Sequence, residues 1–132
     1  MTEPCPILVE VAPGELIDKI TILAIKAERV TDAAKLANVR IELKTLEEAR
    51  DASVPPSPEI ERLTAELKAV NAALWDIEDE IRDCERAGDF GPRFIELARA
   101  VYKTNDRRSD LKRAVNVCLG SRIVEEKSYA AY

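Results

Sequence analysis

The sequence contains no histidine, one methionine, four glycines and only 5% aromatic residues. Without histidine there is no Ser-His-Asp triad, no imidazole acid or base, and no His-ligated metal. Scarce glycine and aromatics, set against 34% charged residues, argue against a sheet and for long helices. No apolar run is long enough to cross a bilayer, and no leader segment is read, so the reducing cytoplasm is the expected compartment. The three cysteines, Cys5, Cys84 and Cys118, are odd in number and far apart. Cys84 and Cys118 fall at apolar helical positions and read as small core residues. Phosphate loops, metal boxes and nucleophile elbows are also missing, so neither a metal nor a cofactor is expected.

What is present is charge, unevenly placed. The net charge is −5, which disfavours wholesale nucleic-acid binding. Residues 93–122 nevertheless carry eight Lys/Arg against three Asp/Glu, a local +5. A basic helix among acidic ones implies internal pairing, an anionic ligand, or both.

The clearest periodic stretch is 58–86. Ile60, Leu63, Leu67, Val70, Leu74, Ile77, Ile81 and Cys84 alternate spacings of three and four, the seam of a helix lying along another helix. Ser57 should cap it, with Pro58 at its first position. A helix over about 32–52, capped by Thr31-Asp32, carries Leu36, Val39, Leu43 and Leu46 at the same spacing. These two helices are expected to form an antiparallel hairpin across SVPPSP. A first helix runs from about 14 to 30 behind Pro13, with Leu16, Ile20, Leu23, Ala27 and Val30 as its stripe. Its opposite face holds Glu15, Asp18, Lys19, Lys26 and Arg29. AGDFGP turns the chain into a last helix, about 92–119, with Gly120 just past its end. The expected fold is one all-α domain, residues 1–132: an antiparallel four-helix bundle with a long helical hairpin. A short β pair is allowed for between the arm 7–11, ILVEV, and the tail.

The last helix is interrupted where it should be apolar. Phe94, Leu97, Ala98, Val101, Val115 and Leu119 form a stripe, yet Arg108 falls at its centre, with Asn105, Lys112 and Asn116 beside it. Charges on a buried stripe are costly unless paired and hydrogen-bonded. On the helix 58–86, Asn71, Trp75, Glu78 and Arg82 share a second polar face, and Glu78 is the natural partner for Arg108 or Lys112. Two readings stay open. In one, these groups are a buried ion-pair network that specifies packing. In the other, Lys19, Asn71, Glu78, Arg82, Asn105, Arg108, Lys112 and Asn116 surround a small anionic ligand, a carboxylate or phosphate, in an interhelical pocket.

Three stretches carry a resemblance. GELIDKITILAIKAERV at 14–30, LWDIEDEIRDCE at 74–85 and residues 94–129, with TNDRR and EEKSY, resemble a family of small bacterial proteins of unassigned function. The likeness spans nearly the whole chain and implies a small helical protein, with no activity to carry over. LIDKITILAIKAER is also similar to the opening helix of the all-helical chorismate mutases, whose sites gather Arg and Lys around a dicarboxylate. That likeness would give Arg29, Arg108 and Lys112 such a role, as an alternative, but the later site residues of those enzymes have no counterpart here in order and spacing.

Two expectations concern assembly. The first helix is apolar around more than half its circumference, so the chain is expected to be a homodimer. Ile123, Val124, Tyr129 and Tyr132 are too apolar for a free terminus, so the tail over 121–129 should dock, with Lys127 or Tyr129 near the polar insert.

Overall fold

A computed structural model describes residues 3–132; the first two residues of the expected 1–132 unit lie outside it. Four helices make up the described chain: α1 (Pro13–Arg29), α2 (Ala33–Ser53), α3 (Pro58–Ala87) and α4 (Pro92–Cys118). Their ends follow from local chemistry. Proline opens α1, α3 and α4, where a missing N–H costs nothing. The Asp32 carboxylate accepts from the Lys35 N–H at 2.9 Å, and the Ser57 hydroxyl accepts from the Ile60 N–H at 3.2 Å. Gly88 ends α3 in the left-handed region at φ 67°, and Gly120 follows α4 at φ 63°.

α1 is the shaft of the molecule. It packs against α2, α3 and α4, and eight of its 17 residues are buried. Ile17 meets Ile60, Leu63 and Leu67 of α3 and Leu111 and Val115 of α4 in the main core. The helix that is apolar around most of its circumference is therefore largely covered by its own chain.

The long hairpin is present, but it is formed by α3 and α4. Cross-pairs Arg93–Glu80 and Arg107–Glu66 advance in opposite directions along the two helices, so they run antiparallel. The expected pairing of α2 with α3 does not form: α2 approaches α1 alone and has no buried residue. Its stripe has the right spacing, but the 54–57 connection lets α2 lie along the other side of α1, so Leu36, Val39, Leu43 and Leu46 are only half-buried.

No strand occurs among the described residues, so the β pair allowed for between arm and tail is not made. Ile7, Leu8 and Val9 are 91, 87 and 74% exposed. Cys84 is buried as expected, whereas Cys118 is exposed, because it sits on the last turn of α4 beyond the core. No described helix is long and apolar enough to cross a membrane.

Candidate functional site

The polar insert of α4 faces α1, and its partner is a residue the wheel had put on the solvated side. Asp18 is completely buried. Its carboxylate takes two bonds from Arg108, Nε to Oδ1 at 2.9 Å and Nη2 to Oδ2 at 2.6 Å, a side-on fork. Asn71 Nδ2 of α3 donates to the same Oδ1 at 2.9 Å and to Thr21 Oγ1 at 2.9 Å. Thr21 Oγ1 in turn donates to the Asp18 carbonyl at 2.7 Å. Three helices are thus joined through one buried carboxylate.

One turn further along α4, Lys112 Nζ lies 2.7 Å from Glu15 of α1 and 2.9 Å from Glu125 of the tail. Its side chain is 14% exposed. Burial alone would lower its pKa; the hydrogen bonds it donates to Glu15 and Glu125 outweigh burial and push it above the usual lysine value. The bonds to Asp18 likewise hold the Arg108 guanidinium more firmly charged, against the opposing effect of burial.

Another turn along, Asn116 Oδ1 accepts the Gly14 N–H at 2.8 Å. This contact requires a glycine. A Cβ at residue 14 would stand 2.3 Å from the Lys112 carbonyl oxygen and 2.9 Å from Asn116 Oδ1. The bare backbone at the start of α1 is what lets α4 come close enough to set Lys112 beside Glu15.

The tail runs back along α4, opposite in direction. Glu125 reaches Lys112, Glu126 reaches Arg113, and Lys127 and the Tyr132 hydroxyl both reach Asp106. Tyr132 also meets Tyr102 edge-on, with centroids 5.2 Å apart. Arg122 pairs with Glu10 at the base of the arm. Tail and α4 enclose a groove of about 1330 Å³, lined among others by Asn105, Arg108, Lys112 and Asn116.

Of the expected site residues, Asn71 of α3 and Arg108, Lys112 and Asn116 of α4 come together on α1, and Asn105 lines the groove beside the last three. Glu78, Arg82 and Lys19 are placed elsewhere. Glu78 does not partner Arg108 or Lys112; it is exposed and takes Arg82 Nε at 3.3 Å one turn along α3. Lys19 is exposed on α1, with no partner among the described hydrogen bonds. Arg29 lies eleven residues beyond Asp18, about 16 Å along the helix, where it bonds Asp76 at 2.6 Å and stacks 5.8 Å from the Trp75 centroid. Arg29, Arg108 and Lys112 are therefore not gathered within one chain.

The residues missed were Asp18, Glu15, Thr21 and Gly14. Their signal was a second stripe on α1: Gly14, Asp18, Thr21 and Ile25 recur at four, three and four, a small polar face flanking the aliphatic one. Among the described residues, no three Cys, Asp or Glu side chains are placed to hold a metal ion.

Fold and site together define a small four-helix protein whose first helix is wrapped by the other three and clamped by a buried carboxylate. The chain belongs to DUF6165, a family of unknown function, whose model matches residues 7–132. No curated protein and no solved structure matches it.

Proposed function

We propose that Arg108 and Lys112, on the α4 wall of the groove between α4 and the tail, bind a small anionic ligand, a carboxylate or phosphate. One observation carries this reading. Arg108 spends only Nε and Nη2 on Asp18, leaving Nη1 without an acceptor among the described residues on a side chain that lines the groove. A guanidinium fixed from behind by a buried carboxylate loses little freedom when it takes a second acceptor in front. Lys112 lies one turn away, and Asn105 and Asn116 add amide groups.

Thermal unfolding with citrate or inorganic phosphate, at ionic strength fixed with sodium chloride, tests the reading. An anion that binds the native state alone raises the unfolding temperature by mass action. The shift should be present in the wild type and vanish in Lys112→Met. Equal shifts in both proteins, or none in either, would count against it.

The second reading keeps the polar groups as a packing key. It is favoured by their full satisfaction: no buried side-chain nitrogen or oxygen among the described residues lacks a partner. Under it, anions leave the wild type unmoved.

A further inference from the structure

The chain itself already places a carboxylate on Lys112. Glu125 arrives from the tail rather than from a helix, and its side chain is 65% exposed. The tail is held to α4 mainly by ion pairs. Lys112–Glu125, Arg113–Glu126 and Lys127–Asp106 are ion pairs with at least one well-exposed partner, and Tyr132 adds a hydroxyl bond and an edge contact. From Glu125 to Tyr132 no residue is buried. Screened pairs of this type hold a segment weakly and individually.

We infer that the tail is a displaceable strap whose Glu125 carboxylate occupies the anion site as an internal competitor, so that an incoming anion binds Lys112 and Arg108 by releasing the tail. This rests on the anion-binding reading above.

The charges around the site support it. Asp18 balances Arg108, while Glu15 and Glu125 together exceed the single charge of Lys112. With the strap docked, a further anion meets a net negative neighbourhood. With Glu125 withdrawn, Arg108 and Lys112 balance Asp18 and Glu15, and the Lys112 donor becomes free. Glu15 cannot leave in the same way, since it is part of α1. Glu126 and Lys127 follow the competing carboxylate and are paired to different residues of α4, so each contact can be released separately as the strap opens.

A strap that is closed most of the time lowers the apparent affinity by its closed-to-open ratio. Glu125→Gln, an exposed position on a segment outside the core, should therefore bind citrate about three- to tenfold more tightly than the wild type, given the strength of exposed pairs. Trypsin reports the strap directly, because Lys127 lies within it. In the wild type, citrate should speed cleavage after Lys127 relative to sodium chloride at equal ionic strength, read by mass spectrometry.

The outcomes separate the two claims. Tighter citrate binding by Glu125→Gln, with citrate-accelerated cleavage, supports the strap. Equal citrate affinity in both proteins with unchanged cleavage overturns the strap and leaves the anion site standing. Protection of Lys127 by citrate also overturns it, since the tail would then close over the ligand. No stabilisation by citrate in either protein removes the anion site and the strap with it.

Discussion

Replacing Arg108 by methionine separates the structural half of the site from the binding half. The substitution keeps much of the side-chain volume and deletes the fork on Asp18. The Asp18 side chain is 1% exposed and cannot turn to water; Arg108, at 30%, can. In Arg108→Met the buried carboxylate keeps only the Asn71 amide as a side-chain donor. Breaking a buried pair from this side costs about 3–5 kcal/mol, a large part of the 5–15 kcal/mol that domains typically possess. The reverse change, Asp18→Asn, strands a guanidinium that can swing into the groove, so its cost should be nearer 1.5–3 kcal/mol, that of losing charged hydrogen bonds. The double variant should sit close to Asp18→Asn rather than at the sum, so the coupling should be about as large as the Arg108→Met cost itself, roughly 3–5 kcal/mol. Lys112→Met should behave differently. Its partners Glu15 and Glu125 are 37% and 65% exposed and regain water, so about 0–1 kcal/mol is expected. Urea unfolding followed by Trp75 fluorescence, at low salt without added anion, measures all four. An Arg108→Met protein as stable as the wild type, or a Lys112→Met protein damaged as badly, would refute the division of labour between the two cations.

Gly14→Ala should destabilise by at least 1–3 kcal/mol, the usual cost of overpacking, because the new Cβ meets Lys112 backbone; a melting temperature equal to the wild type would contradict the close approach. Tail docking should depend on pH at both extremes. Hydrogen bonds from Lys127 and then Tyr132 lower the Asp106 pKa, so this contribution is complete above about pH 4 and is lost as pH falls through the depressed value. The bond to Asp106 raises the Tyr132 pKa, so that contribution is complete below about pH 10 and is lost as pH rises through the raised value. The methyl resonances of Ala130 and Ala131 should hold docked positions between these limits and move outside them; pH-independent shifts would argue against the contact. A homodimer remains our expectation on new grounds: the accessible surface is 9324 Å², against about 6,900 Å² for a compact monomer of 14.7 kDa, and the apolar arm is uncovered. Light scattering that gives a monomer mass at tens of micromolar would exclude it.

The helices were legible because their ends are written in single residues. Asp32, Ser57 and the prolines at 13, 58 and 92 each act within one turn, so no tertiary knowledge is needed to place them. Partner choice was not legible. The stripes of α2 and α3 share one period, and period alone does not say which helix a stripe will face. The same limit hid Asp18. On the wheel it sits among Glu15, Lys19 and Arg29, and only the arrival of α3 and α4 on that side turns a solvated face into a buried one. The interruption around Arg108 was readable because a cation on an apolar stripe is anomalous wherever it occurs. Its natural partner was misread as Glu78 because Asp18 gave no such sign. A docked tail near the insert was expected from its apolar residues, but the charge pairs to α4 that position it were not legible, since a segment with no period does not show which residues it will meet.

The central place of α1 has a consequence for how the molecule comes into being. Its polar partners lie far along the chain: Asn71 is 53 residues from Asp18, Arg108 is 90 away, and Asn116 is 102 from Gly14. A ribosome delivers α1 first and its last neighbour only after α4 has emerged. At the 5–20 residues per second of synthesis, the shaft waits several seconds with Leu16, Ile17, Ile20, Leu23 and Ile25 unclad and Asp18 still hydrated. α2 can shelter one flank in the meantime. The earliest-made helix is thus the last to be enclosed, and the nascent protein is most exposed to wrong partners just before it is finished.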